Sequence, residues 1–242
     1  MLRLLAHTAG LLLAAGPALA DPGYYLVSVY DNEGQGSIDF RYWTVQQRGR
    51  PMVTWPEIGI GYNVTGRWYT ELYASYIHSR AGGTGPSTLN WQNDFLLTQG
   101  QWPIDVALHT VWIRPRDGAG GHAFEFGPAL QTDFGRTQLN LNLFAERGTA
   151  ADAPRATQAK IQWQAKYRFR GGLHLGLQGF SEPGPWGRWD PWHRQSHRAG
   201  PMLQARWPLA QGQALQLDAA YLYGRVYGAP ARMFSLRTQL LF

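Results

Sequence analysis

The segment Thr157–Arg170, T-Q-A-K-I-Q-W-Q-A-K-Y-R-F-R, changes character at every residue. Ile161, Trp163, Ala165, Tyr167 and Phe169 form one set; Lys160, Gln162, Gln164, Lys166 and Arg168 form the other. A period of two places successive side chains on opposite faces of a β-strand, so one face is apolar and the other carries charge. The same alternation recurs in Thr137–Gly148, where Leu139, Leu141, Leu143 and Ala145 oppose Asn140, Asn142, Phe144 and Glu146. It recurs in Glu57–Thr65, and again in the last residues, Ser235–Phe242. Such a chain is all-β.

Twelve segments of this kind are predicted, at 36–47, 56–65, 68–80, 90–100, 103–115, 122–134, 137–148, 157–170, 173–183, 199–209, 214–226 and 232–242. Ten or fourteen strands are the alternatives. Each segment is close to the ~9–11 residues with which a tilted strand crosses a bilayer. Their connections alternate between tight glycine turns, such as Thr65-Gly66-Arg67 and Phe134-Gly135-Arg136, and longer loops such as 184–198.

Composition narrows the setting. Residues 1–20 have a positive start at Arg3, an apolar run over Leu4–Ala15 and the small-residue motif Ala18-Leu19-Ala20, which together read as a cleaved signal peptide ahead of Asp21. The domain reading is therefore 1–20 signal peptide, 21–35 an N-terminal segment, and 36–242 the barrel. The segment Gly23–Tyr30 is itself strand-like; it is periplasmic, lumenal or an extension of the first strand. The chain has no cysteine, so a core or a closed hydrogen-bond network must hold it. Beyond the signal there is no apolar run of helix-spanning length.

A soluble sandwich or lipocalin-like barrel would show the same alternation. Two features weigh against it. Aromatic residues sit on the apolar face toward strand ends, among them Tyr62, Trp68, Tyr76, Trp91, Trp112, Phe134, Trp163, Trp207, Tyr221 and Tyr223, as in the aromatic girdles of a transmembrane barrel. Charges also stand at mid-strand on the polar face, where water would give them nothing and a lumen could pair them.

With the signal peptide, the alternating short and long connections, and a last strand that ends on Phe242, the chain resembles a Gram-negative outer-membrane β-barrel protein of the uncharacterised, porin-like kind. The resemblance is architectural and covers residues 21–242. It implies residence in the outer membrane, contact with outer-membrane lipids and lipopolysaccharide, and reading of Phe242 by the barrel assembly machinery. It carries no motif for a functional family.

Projecting the polar face inward gives a lumen charge network. Asp39, Glu57, Glu71, Asp94, Asp105, Glu125, Asp133 and Glu146 come from the earlier strands. Lys160, Lys166, Arg168, Arg206 and Arg237 come from the later ones, with Arg41 from the first. Acidic and basic walls are expected to face each other across the lumen, either sealed by salt bridges or open as a narrow polar pore for small polar solutes. Both lysines lie on one strand; every other cation of residues 21–242 is arginine. Arg48, Arg50, Arg80, Arg114, Arg116, Arg147, Arg155, Arg188, Arg194, Arg198, Arg225 and Arg232 fall at the loop ends of strands, an extracellular rim suited to bidentate contact with lipopolysaccharide phosphates. A generic solubilising collar is the plainer reading of that rim. These arginines account for the basic charge, so no nucleic-acid partner is expected.

The loop Pro183–His197, P-G-P-W-G-R-W-D-P-W-H-R-Q-S-H, sets Trp186, Trp189 and Trp192 three residues apart, as a lid, an interfacial anchor or a glycan-contacting surface. Its His193 and His197 are not expected to hold a metal, and no cofactor is expected. A catalytic role is the minority reading. His78 projects outward near a loop end with Asn93 on the next strand, but Ser79 has the opposite parity and no nucleophile is placed beside them. Three functions therefore stand: a passive channel or structural lipopolysaccharide-contacting barrel, a lipid-modifying hydrolase, and a surface binding protein that uses the Trp loop.

Overall fold

The computed structural model describes residues 24–30, 36–79, 83–116, 121–149 and 156–242. The signal peptide, Arg80 and Arg155 lie outside the described residues. The strands are β1 (Gly36–Gln47), β2 (Val53–Thr65), β3 (Trp68–Ser79), β4 (Gly83–Leu96), β5 (Asp105–Pro115), β6 (Ala123–Phe134), β7 (Thr137–Gly148), β8 (Gln158–Arg170), β9 (Leu173–Pro185), β10 (Ser196–Pro208), β11 (Ala214–Val226) and β12 (Ala229–Leu241). Each is antiparallel to its sequence neighbours, and β12 closes on β1 from Ser37↔Leu241 to Gln47↔Ala231. The twelve expected strands are all present. Closure removes every edge, so backbone donors and acceptors are paired within the wall, as hydrocarbon surroundings require.

The start of β1 and the last residue lie together. Gly36 N–H donates to the Phe242 carbonyl at 2.8 Å, and Phe242 N–H donates to the Gly36 carbonyl at 3.0 Å. We call this end the terminal rim and the opposite end the loop rim. The short-and-long rule has three exceptions. The β4–β5 connection on the terminal rim spans 97–104, while on the loop rim β3 and β4 are joined by 80–82 and β11 and β12 by Tyr227 and Gly228.

The distribution of polarity is inverted relative to a soluble protein. Ile58, Ile60, Leu72, Leu177 and Phe126 are exposed on the outer face, while Asp39, Arg41, Glu57, Glu71, Asn142 and Gln239 are buried inside. The aromatic residues expected at strand ends are outside as read; Tyr62, Tyr76, Trp91, Trp112, Phe134, Trp207, Tyr221 and Tyr223 are exposed.

An eight-stranded barrel is just filled by its own side chains, and diameter grows with strand number. Twelve strands leave more space than wall side chains can occupy. Residues 24–30 take up that space. Of the N-terminal segment only 24–30 are described, and their side-chain contacts lie inside the wall. Tyr24 packs among Trp43, Phe180, Met202, Leu222 and Met233. Tyr25, Val27 and Val29 pack with Ala107, Ala129 and Phe144. The core of this protein is thus a small apolar plug site inside a polar lumen.

Candidate functional site: a plugged, charge-paired lumen

The plug segment is held by side chains rather than by strand pairing. Tyr24 Oη donates to Glu182 Oε1 at 2.6 Å, and Ser235 Oγ donates to the Tyr24 carbonyl at 2.8 Å. Tyr25 Oη donates to Gln92 Oε1 at 2.8 Å. Asn142 Nδ2 donates to the Val27 carbonyl at 2.7 Å, while Val27 N–H donates to Gln162 Oε1 at 3.3 Å. Tyr30 Oη reaches Asp105 Oδ2 at 2.7 Å near the terminal rim. Burial first, and then the accepting Asp105 carboxylate, push the Tyr30 phenol up to about 12. The segment therefore runs from the loop-side half of the lumen toward the terminal rim, touching β3, β4, β7, β8, β9 and β12 on the way.

Tyr25 sits on the first charge cluster. Arg41 donates to Asp39 at 3.0 Å and to Glu71 at 2.6 Å, and lies 3.9 Å from Glu57. Arg237 pairs with Asp39 at 2.7 Å. The Arg41 guanidinium lies 3.9 Å from the Tyr25 ring centroid and 4.6 Å from that of Tyr73, so the plug covers the cation with a π face. Two glycines make room for this cluster. A Cβ on Gly59 would collide with Glu71, and one on Gly61 with Tyr69, whose hydroxyl meets Ser37 Oγ at 2.9 Å. Glycine in the polar face of β2 thus lets β3 side chains lie flat against the wall.

The second cluster lies around β5–β8. Lys160 pairs with Glu125 at 2.6 Å and with Glu146, and His109 bridges Asp94 at 2.5 Å and Glu125 at 3.5 Å. Phe144 stacks on the His109 ring at 4.5 Å between centroids. His109 is therefore a buried wall residue hydrogen-bonded to Asp94 through Nδ1, while Nε2 only approaches Glu125. In a third group, Lys166 donates to Gln204 at 2.9 Å, and Gln204 to Asp218 at 2.7 Å; His174 also contacts Gln204, at 2.8 Å. A residual polar cavity of about 30 Å³ lies beside Tyr25 and Ser28, against Lys166, Gln178, Asp218 and Arg237. That is room for about two waters.

These placements correct the expected geometry in two respects. The charges do not face each other across the lumen; they pair sideways along the wall, Arg41 with β1–β3 carboxylates and Lys160 with β6–β7 carboxylates. The plug occupies the axis between them, and wall side chains reach their neighbours before they reach the far side. Arg168 pairs with Asp133 at 2.8 Å, half-exposed at the terminal rim, and Arg206 stands on the inward parity of β10, half-buried near the same rim. Secondly, Arg198 does not belong to the outer rim. It is buried in the lumen, 3.2 Å from Glu182, with its guanidinium 4.1 Å from the Tyr24 ring centroid. β10 begins at Ser196, earlier than its apolar pattern suggests, and carries Arg198 inward on the same parity as Gln204. Arg48, Arg50, Arg116, Arg147 and Arg194 are exposed at the loop rim.

In the Trp loop, Trp186, Trp189 and Trp192 are all exposed, and Trp192 stacks on His197 at 3.9 Å. Backbone bonds from Arg188 to Pro185, Asp190 to Pro183 and Arg194 to Pro191 fix its turns. Near His78, the structure replaces the expected neighbour. Asn93 pairs with Thr70, far down the strand, because β4 starts at Gly83. Thr84 instead faces His78, with Oγ1 2.6 Å from Nδ1. Among the described residues no carboxylate completes that pair. No group of histidines and carboxylates with metal-binding geometry occurs among the described residues.

A closed antiparallel barrel with an apolar outer face, aromatic strand ends and a charge-paired interior has the fold of the outer-membrane β-barrel proteins of Gram-negative bacteria. Solved structures of the same fold include an outer-membrane channel from Pseudomonas putida F1 (13% identity over 92% of this chain and 99% of that one, TM-score 0.59). They also include the NanC porin (9% identity, 85% and 98%, TM-score 0.56) and the translocator domain of the autotransporter NalP from Neisseria meningitidis (12%, 88% and 91%, TM-score 0.53). At these identities the likeness is one of fold. No protein-family model matches the chain, and no curated protein matches it.

Proposed function

We propose that this barrel is a porin-like channel for small polar solutes whose conductance is limited by its own residues 24–30. The observation that carries this reading is the seating of the plug: a segment outside the strand ladder, docked by side-chain contacts in the lumen, with a polar cavity along one flank. Wall strands can leave their place only by breaking the barrel, whereas the plug's attachments are separable hydrogen bonds and ring contacts. Clusters fixed to the wall would line the passage once the plug yields, acidic on β1–β3 and mixed on β5–β8. Planar-bilayer recordings test this. The intact barrel should show small, infrequent openings, and a barrel refolded without residues 21–30 should show large steady currents. A truncated barrel that folds yet passes no current would refute the channel reading in favour of a sealed structural barrel.

A second reading concerns the loop rim. The exposed arginines there, with no lysine among them, favour a surface that engages lipopolysaccharide phosphates through bidentate contacts. Greater thermal stability in lipopolysaccharide-containing bilayers than in phospholipid alone is the expected result; equal stability in both would count against it.

A further inference from the structure

On the outer wall near the loop rim, β4 outruns its neighbour. The last β4–β5 pair is Thr88↔Pro115, and Arg116 N–H then donates to the Ser87 carbonyl at 3.0 Å. Above that bond Gly83–Pro86 continue the pairing with β3. Beside this stretch lies a cleft of about 450 Å³, bordered by Tyr76, Leu89, Arg114, Arg116 and His122. That volume is in the range of small-molecule sites, roughly 300–1,000 Å³.

The chemistry of the cleft is graded along the membrane normal. Arg114, Arg116 and His122 are exposed at its upper side. Among the described residues neither arginine has an ion pair and no carboxylate lines the cleft. Toward the middle of the wall the outer face turns apolar, through Leu89 and then the cross-strand row of Leu72, Trp91 and Trp112. The Trp112 ring lies 4.8 Å from that of His122, so the polar and apolar parts adjoin. Arg114 also projects outward from within a strand, on the face that meets lipid. A cation there is tolerated only near the interface, and a phosphate is the partner its geometry suits.

We infer that this cleft is a binding site for a phosphorylated lipid of the outer leaflet, with its phosphate held by Arg114 and Arg116 and its acyl chain lying along Leu89, Trp112 and Trp91. The site rests on the reading that the loop rim meets the outer leaflet, and it makes that reading specific to one side of the barrel.

Native mass spectrometry of the detergent-solubilised barrel, titrated separately with diphosphoryl lipid A, phosphatidylcholine and inorganic phosphate, tests it. Wild type should retain lipid A in preference to phosphatidylcholine, with no competition from equimolar phosphate. Arg114→Gln/Arg116→Gln should weaken lipid A binding by at least about tenfold, as expected for the loss of charge-assisted bonds. Arg67→Gln/Arg170→Gln, exposed at the terminal rim, should stay within about twofold of wild type. Equal weakening by the two double variants would mark a nonspecific charge effect and overturn the cleft, and wild-type binding by Arg114→Gln/Arg116→Gln would overturn the cleft while leaving the general rim reading intact. Absence of lipid A binding by wild type would overturn both. Phosphatidylcholine binding as tight as lipid A, or effective competition by phosphate, would also overturn the assignment.

Discussion

If residues 24–30 limit conductance, the most informative single change is Tyr25→Ala. Tyr25 is a buried plug residue, and its side chain makes contacts of three kinds. Its hydroxyl donates to Gln92 at 2.8 Å, a buried hydrogen bond contributing about 1 kcal/mol net. Its ring lies 3.9 Å from the Arg41 guanidinium, a desolvated cation–π contact of about 2 kcal/mol. It also meets Tyr73 edge-on at 6.5 Å between centroids, an aromatic pair contributing about 0.5–1 kcal/mol. Together these amount to about 4 kcal/mol, an upper figure because contacts sharing one ring are not independent. Even half of that, about 2 kcal/mol, shifts the docked-to-undocked ratio roughly thirtyfold. The wall strands lose no backbone bond, so the barrel should remain folded, with unchanged β-sheet circular dichroism. Planar-bilayer recordings should then show open probability raised at least about tenfold at unchanged single-channel amplitude. An open probability equal to wild type in a folded Tyr25→Ala barrel would refute the idea that Tyr25 holds the plug in place.

Other consequences follow from the same geometry. Lys160→Met leaves Glu125 and Glu146 buried without their shared cation, which should cost about 3–5 kcal/mol; urea unfolding followed by tryptophan fluorescence should show the loss, and an unchanged midpoint would mean the pair is solvated. Gly59→Ala should push Glu71 off Arg41 and lower the unfolding temperature, whereas Gly66→Ala, in an open turn, should do neither. Removing Phe242 deletes the two backbone bonds to Gly36 at the closing seam; the folded fraction recovered from outer membranes should drop, and normal recovery would show that closure does not depend on this residue.

Much of the fold was legible because barrel strands are read locally. Side-chain direction in a strand depends only on parity, so Lys160, Gln162, Gln164 and Lys166 could be placed inside and Trp163 and Tyr167 outside from the alternation alone. Boundaries were harder where composition misleads. Gly83, Gly85 and Pro86 read as loop, yet they extend β4, because they continue the β3 ladder past the register shift at Ser75/Tyr76, and such an irregularity tolerates proline and glycine. That shift moved His78 away from Asn93 and toward Thr84. Arg198 was misplaced for the same reason at the start of β10, although its parity matched that of Gln204.

By itself the sequence determined the all-β barrel and the two faces of each strand, since both follow from period two and from the need to pair every backbone group. Only the tertiary structure decided where residues 24–30 go and which charges meet. Those outcomes depend on the width of a twelve-stranded lumen and on the register between neighbouring strands. Neither is written in any one segment; both arise when β12 closes on β1 and the interior volume must be filled.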